Sequence, residues 1–247
     1  MTPAAGGAGP GEVKVTPVPC LADNYAYLFE QDEQIIVVDP SEPEPVLKAL
    51  AGRRLTAIAC THHHWDHVGG VEALVARFGV PVYASAYDHA RDRVPGQTVG
   101  LRDGETVSFG ALTARVWLVP GHTLGALAWQ VGDELFTGDT LFLGGCGRLF
   151  EGDAEMMLAS LSRLRALSPE TRLWCGHEYT ARNRAFGRTI APDPLPDPAG
   201  PSMPGTLAEE RRRNVLLRWD DPAVMAWAGS RDPVEVFGKV RGARDMF

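Results

Sequence analysis

No run of apolar residues in this chain is long enough to span a bilayer, which argues against a membrane-crossing role. Residues 1–11 lack the basic and apolar stretches of a secretory signal, and their Pro, Ala and Gly content predicts a flexible tail over residues 1–12. Cysteine is scarce: Cys20, Cys60, Cys146 and Cys175 are scattered and form no Cys-x-x-Cys pair. That pattern predicts reduced thiols in a cytoplasmic protein rather than a disulfide framework. Positive charge is in deficit, with 24 Lys and Arg against 31 Asp and Glu and a net charge of -7. Nucleic-acid phosphates would be repelled, so no such partner is expected. A hydrophobic fraction of 45% against 22% charged residues describes a globular protein, and 247 residues can bury a full core.

What the chain does have is histidine in one place. Thr61-His62-His63-His64-Trp65-Asp66-His67 carries four imidazoles and a carboxylate, a donor density with no structural purpose in a solvated loop. If the segment is extended, alternation sends His62, His64 and Asp66 to one side and His63 and Trp65 to the other. One ion cannot accept all these donors from so short a stretch. Two adjacent ions, one taking His62 and His64 and the other Asp66 and His67, relieve the crowding.

The surrounding pattern places the cluster. Residues 13–18, 25–29 and 35–38 read as strands, 43–50 as a helix opened by proline, and 55–60 as a buried strand leading straight into the histidines. The cluster thus sits in a loop at the C-terminal end of a strand. A helix over 71–78 and a strand over 80–84 follow. Strands are then expected at 106–109, 112–118, 126–131 and 134–136, a helix at 154–167 and a strand at 171–175. These two similar halves predict an α/β sandwich of two sheets with helices outside. Dense proline between 191 and 205 predicts a linker, beyond which 207–217 and 233–240 read as helices. The expected divisions are the tail (1–12), a catalytic domain (13–178) and a C-terminal helical region (179–247).

Three later segments repeat the form of a strand ending at a glycine-flanked donor: Pro120-Gly121-His122-Thr123, Thr137-Gly138-Asp139-Thr140 and Cys175-Gly176-His177-Glu178-Tyr179. A symmetric assignment puts His62, His64 and His122 on one metal and Asp66, His67 and His177 on a second, with Asp139 bridging. A hydroxide shared by the two ions, held between Asp66 and Asp139, would then be the nucleophile at neutral pH. Zinc is the first expectation for both ions, with iron or manganese as alternatives. His63 and Trp65 are expected to act as spacers, and Cys146 and Cys175 as small buried residues rather than ligands.

The Thr-His-x-His-x-Asp-His loop with the later Gly-His-Thr, Gly-Asp-Thr and Gly-His-Glu-Tyr segments resembles the metallo-β-lactamase superfamily. Leu21-Ala22-Asp23-Asn24-Tyr25, Gly145-Cys146-Gly147-Arg148, Gly176-His177-Glu178-Tyr179-Thr180 and the C-terminus narrow the resemblance to glyoxalase II, the hydroxyacylglutathione hydrolases. It implies an αββα sandwich of two mixed sheets with a small C-terminal helical domain. It also implies hydrolysis of S-D-lactoylglutathione to D-lactate and glutathione, in methylglyoxal detoxification, by a cytoplasmic monomer whose partner is a small-molecule glutathione thioester. Arg148 and Tyr179 would hold the glutathione half, and Arg241 and Arg244 would reach its glycine carboxylate. Phe150 stands where some family members have tyrosine, so a hydroxyl contact is lost there. The region between 180 and 207 is shorter than in longer members, which implies a missing helix. Three rivals remain: a persulfide dioxygenase with a single iron, another hydrolase of the same superfamily, and a metal-binding protein without activity.

Overall fold

The chain enters through an antiparallel meander, β1 (Lys14–Cys20), β2 (Asn24–Gln31) and β3 (Gln34–Val38). The computed structural model describes residues 13–193, 195–196 and 202–247, so the expected tail and part of the expected linker lie outside the described residues. β3 reads Gln-Ile-Ile-Val-Val because it is paired on both edges and covered on both faces. Tyr27, Phe29, Ile36 and Val38 face the space between the two sheets, while Ala26, Leu28, Ile35 and Val37 face outward toward helices. Those helices are α1 (Pro43–Leu50), opened by Pro43 with Glu44 in its first turn, and α3 (Val71–Phe78). Between them lie β4 (Ala57–Ala59) and the one-turn helix α2 (Trp65–Val68).

That turn corrects the expected alternation. The segment is not extended beyond His64: the carbonyl of His64 accepts the N–H of His67 at 2.9 Å, so Asp66 and His67 leave from a helical turn. Gly70 seats the turn against the Pro40–Glu42 backbone, where any Cβ would lie 2.8 Å from the Pro40 carbonyl oxygen. The sheet continues in parallel through β5 (Val82–Ser85), then α4 (Ala86–His89) and β6 (Val99–Leu101), in the order β1-β2-β3-β4-β5-β6.

The second half repeats the layering. β7 (Thr106–Phe109), β8 (Leu112–Leu118), β9 (Leu127–Val131) and β10 (Glu134–Gly138) run antiparallel. The small hairpin β11 (Leu141–Phe142) and β12 (Gly145–Cys146) and the helix α5 (Ala154–Arg165) then lead to β13 (Arg172–Cys175), which returns parallel to β10. With β14 (Gly205–Thr206) at its edge, this sheet is ordered β14-β13-β10-β9-β8-β7. Both sheets mix parallel and antiparallel pairs, with helices outside, as expected for an αββα sandwich.

The C-terminal part comprises α6 (Thr180–Arg188), α7 (Leu207–Arg213), a 3-10 turn (Val215–Leu217), α8 (Pro222–Ala228) and α9 (Pro233–Asp245). The single helix expected over 207–217 breaks at Asn214. Its side chain donates to the Phe142 and Gly145 carbonyls at 3.3 and 3.0 Å and accepts the Leu216 N–H at 3.0 Å. α6 escaped the pattern reading because its buried face includes Thr180, Asn183 and Arg184, which show no apolar period. Leu207, Leu217, Val236 and Phe237 belong to the same hydrophobic cluster as the residues between the sheets, so these helices share the core of the main body.

α6 and α7 grip the β11–β12 hairpin. Asn183 donates to the Leu143 carbonyl at 3.1 Å, and Glu210 accepts the Gly144 N–H at 2.6 Å. Burial pushes the Glu210 carboxyl up to about 7, although the Gly144 N–H and the Arg184 charge oppose the shift. A raised carboxyl favours the fold while it stays protonated. This stability is fully present below about pH 4.5 and is lost as pH rises through about 7. The shift from 4.5 corresponds to about 3 kcal/mol at ~1.4 kcal/mol per pH unit. Thermal melting between pH 5 and 8 is therefore expected to fall more steeply for the native protein than for Glu210→Gln. Parallel curves would show that Glu210 is not the buried acid involved.

Candidate metal centre

The donor residues all come from strand ends. β4 runs into His62 and His64, and α2 supplies Asp66 and His67. The loops after β8, β10 and β13 supply His122, Asp139 and His177. Close approach of these loops requires glycine at two places. Gly138 has φ 49°, and a Cβ there would lie 2.7 Å from the Thr61 Cβ. At Gly176 a Cβ would lie 2.7 Å from the His67 ring and collide with the Asp139 carboxylate.

All seven expected donors converge. His64 Nδ1 lies 3.1 Å from His62 Nε2 and 3.0 Å from His122 Nε2, and Asp139 Oδ2 lies 3.5 Å from His122 Nε2. In the second group, His67 and His177 Nε2 are 3.3 Å apart. Asp66 Oδ2 is 3.8 and 3.4 Å from them, and the two oxygens of Asp139 are 3.3 and 3.4 Å from them. Four donors set tetrahedrally about an ion at about 2.0–2.1 Å are roughly 3.3–3.4 Å apart, so both groups have the dimensions of a coordination shell. Asp139 belongs to both, and its Oδ1 has no hydrogen-bond partner although it is buried. Asp39, His62 and His67 also lie close together, but the Asp39 carboxylate is already engaged by the Thr61 N–H, the Thr61 hydroxyl and His67 Nδ1.

The remote ring nitrogens are fixed by oxygen acceptors. His62 Nδ1 donates to the Thr61 hydroxyl (3.0 Å), His67 Nδ1 to Asp39 (3.0 Å), His122 Nδ1 to the Arg148 carbonyl (2.8 Å) and His177 Nδ1 to Asp23 (2.8 Å). This leaves Nε2 of each facing inward as a lone-pair donor, the arrangement that orients imidazole ligands. Asn24 steadies Asp66, donating to its carboxylate at 3.2 Å and its carbonyl at 2.9 Å. Asp39, whose place at a strand end leaves a supporting role open beside its turn role, takes that supporting role, whereas Asp23 and Asn24 read in sequence only as turn residues.

The electrostatics differ between the halves. Burial holds His62, His64 and His122 below the usual imidazole range, keeping them neutral. Burial acts the same way on His177, but hydrogen bonds to Asp139 and Asp66 override it and push the ring up to about 10. His67 is likewise raised, against its burial, by Asp139 and Asp39. The carboxylates at this end demand positive charge, which a divalent cation supplies in place of protons. Burial pushes the Cys146 thiol up to about 12, so it stays protonated in the metal-free protein.

A cleft of about 430 Å³ leads away from His122 and Asp139, lined by Phe142, Arg148, Phe150, Tyr179, Arg241 and Arg244. The expected substrate residues therefore share one wall system with the donors. Phe150 is 60% exposed, with its ring centroid 5.5 and 5.2 Å from those of His64 and His122. Tyr179 stacks on His177 at 4.8 Å. Arg241 is buried with Nε and Nη1 unpartnered, and its Nη2 and Arg148 both meet Asp245. Arg182 and Asp245 also line the cleft, and sequence reasoning did not single them out. Of the expected spacers, Trp65 is 71% exposed, whereas His63 turns to Arg93, whose Nη2 donates to its Nε2 at 2.6 Å.

The profile of the metallo-β-lactamase superfamily matches residues 22–177, and that of the hydroxyacylglutathione hydrolase C-terminus matches residues 197–247. A hydroxyacylglutathione hydrolase of Synechococcus sp. (strain JA-3-3Ab) is 48% identical over 95% of this chain and 100% of its own length. Among solved structures, ETHE1 from Myxococcus xanthus superposes with a TM-score of 0.68 at 26% identity over 94% of this chain and 90% of that one. TTHA1623 in a di-iron-bound form does so with a TM-score of 0.60 at 31% identity over 81% and 98%. By its two matching profiles and this near-full-length relative, the chain belongs to the hydroxyacylglutathione hydrolase family of the metallo-β-lactamase superfamily.

Proposed function

We infer that the protein is a binuclear metal-dependent thioester hydrolase that converts S-D-lactoylglutathione to D-lactate and glutathione. The observation that carries this reading is the single cleft joining a two-centre donor cluster to a cationic wall. His62, His64 and His122 would hold one ion, Asp66, His67 and His177 the other, and Asp139 both. Bound there, two divalent cations supply hydroxide near neutral pH and polarise a carbonyl oxygen. Nitrogen and carboxylate donors at tetrahedral spacing suit zinc, with iron or manganese also accepted by this set.

The chain's own residues do the rest. Arg148, Tyr179, Arg241 and Arg244 bind the glutathione half through its carboxylates, the partners expected of guanidinium donors. That anchoring would bring the acyl carbon to His122 and Asp139, which line the same cleft. Water adds to the acyl carbon, the C–S bond breaks, and a thiolate departs. A thiol pKa of ~8.5 makes that group leave without a strong general acid. Phe150 offers the substrate an apolar face where a hydroxyl is absent. Residues 13–178 supply the metal donors and residues 179–247 most of the glutathione contacts. A cytoplasmic protein fits this reading, supported by four buried, unpaired cysteines, and a monomer is the assembly we propose with it.

Steady-state hydrolysis of S-D-lactoylglutathione beside a thioester lacking the glutathione half tests the substrate. The glutathione thioester is expected to have a KM lower by tenfold or more. Equal KM values would remove the cationic wall from substrate recognition, and oxygen uptake with glutathione persulfide in place of hydrolysis would favour the dioxygenase reading.

A further inference from the structure

The first triad of imidazoles is assembled from two separate loops, and one guanidinium ties them together. His63, between the donors His62 and His64, accepts from Arg93 Nη2 at 2.6 Å. The same guanidinium pairs with Glu151 through both terminal nitrogens, with Nη1 at 3.3 Å from Oε2. Glu151 Oε2 in turn accepts the N–H of Leu124, two residues beyond His122, at 2.7 Å. The neighbouring Phe150 N–H donates to the His122 carbonyl at 3.3 Å. Asp88 completes the network. It is wholly buried, with Oδ1 at 3.6 Å from both His63 Nδ1 and Arg93 Nη1, and Oδ2 accepts the Ser85 hydroxyl at 2.9 Å. Gly125 packs against it so closely that a Cβ there would lie 2.6 Å from its carboxylate carbon.

We propose that Arg93 is a positioning residue for the first metal site, clamping the His62–His64 loop to the His122 loop through His63 and Glu151. This rests on the two-site reading of the seven donors. Arg93 touches none of the donors that would hold the second ion, Asp66, His67 and His177. Its loss should therefore loosen one site and spare the other. A planar fork bound on two sides cannot be replaced by a point charge, so lysine should restore little. Outer contacts that orient metal donors are typically worth about 10–100-fold in affinity. Because Arg93 acts one residue removed from the donors, the lower end of that range applies.

The test is stepwise competition of zinc-loaded protein against a chromogenic chelator, resolving two dissociation constants per chain, on the native protein, Arg93→Met and Glu151→Gln. Glu151→Gln retains an acceptor for the Leu124 N–H, so it guards against a folding failure of Arg93→Met. Melting of each metal-free protein runs alongside. One constant is expected to rise about tenfold in both variants, with the other within about twofold and the metal-free melting temperatures within a few degrees. Two constants unchanged, or both raised alike with a lower melting temperature, overturns the clamp. Fewer than two ions on the native protein overturns the two-site reading, and the clamp with it.

Discussion

Asp139→Asn is expected to lower kcat for the thioester by about a thousandfold, worth ~4 kcal/mol of transition-state stabilisation, and to reduce the metal content below two ions per chain. Asp139 is the one side chain whose oxygens reach both donor groups, at 3.3–3.5 Å from His67, His122 and His177. Asparagine keeps the shape but offers one neutral carbonyl oxygen, so it cannot neutralise two cations. The fold should survive. Asparagine keeps the volume of the side chain but loses the ion pairs with His67 and His177, so the metal-free protein should melt lower without failing to fold. The checks are kcat, metal analysis and melting of the metal-free protein. Retained turnover with two bound ions would remove Asp139 from the bridging role. Loss of activity with collapse of the metal-free fold would make its role structural.

Arg241→Met is expected to raise KM for S-D-lactoylglutathione about 10–100-fold with kcat within roughly threefold, because a charge-assisted hydrogen bond contributes ~1.5–3 kcal/mol. The case rests on how α9 presents this residue. Arg241 is only 5% exposed, its Nη2 is on Asp245, and its Nε and Nη1 are left without a protein partner beside the cleft. A buried guanidinium with unpartnered donors is costly to the resting protein, and under the proposed function a substrate carboxylate would offset that cost. Methionine fills much of the same volume, so stability should change little. Under the proposed function the carboxylate is remote from the acyl carbon and bound equally in ground and transition states, so the loss should appear in KM. An unchanged KM would assign the cationic wall another purpose, and an equal fall in kcat would mean that Arg241 also positions the acyl group.

Much of this was legible in the sequence, and for identifiable reasons. Strands such as 35–38 and helices such as 43–50 and 71–78 carry apolar periods and proline or glycine boundaries, which are local signals. The seven donors were legible because each sits beside a glycine or a neighbouring donor at the end of a strand. What stayed hidden was long-range. Asp39 reaches the His67 ring only because β3 and β4 pair as neighbours, and Asp23 reaches His177 only because the two sheets pack together. Arg93, Arg182 and Asp245 look like solvated surface charges until the fold places them. The alternation expected through Asp66 failed because the tight seat of Gly70 against the Pro40–Glu42 loop favours a helical turn over an extended strand. Asn214 broke an expected helix for a similar reason, since its amide serves the hairpin of another segment.

Under the proposed function the two donor groups act together as one binuclear hydrolytic centre. Metal-free protein titrated with zinc while S-D-lactoylglutathione cleavage is followed tests it most directly. No cleavage is expected without metal, and the rate should reach its plateau at two ions per chain. A plateau at one ion, or cleavage by the metal-free protein, would contradict it.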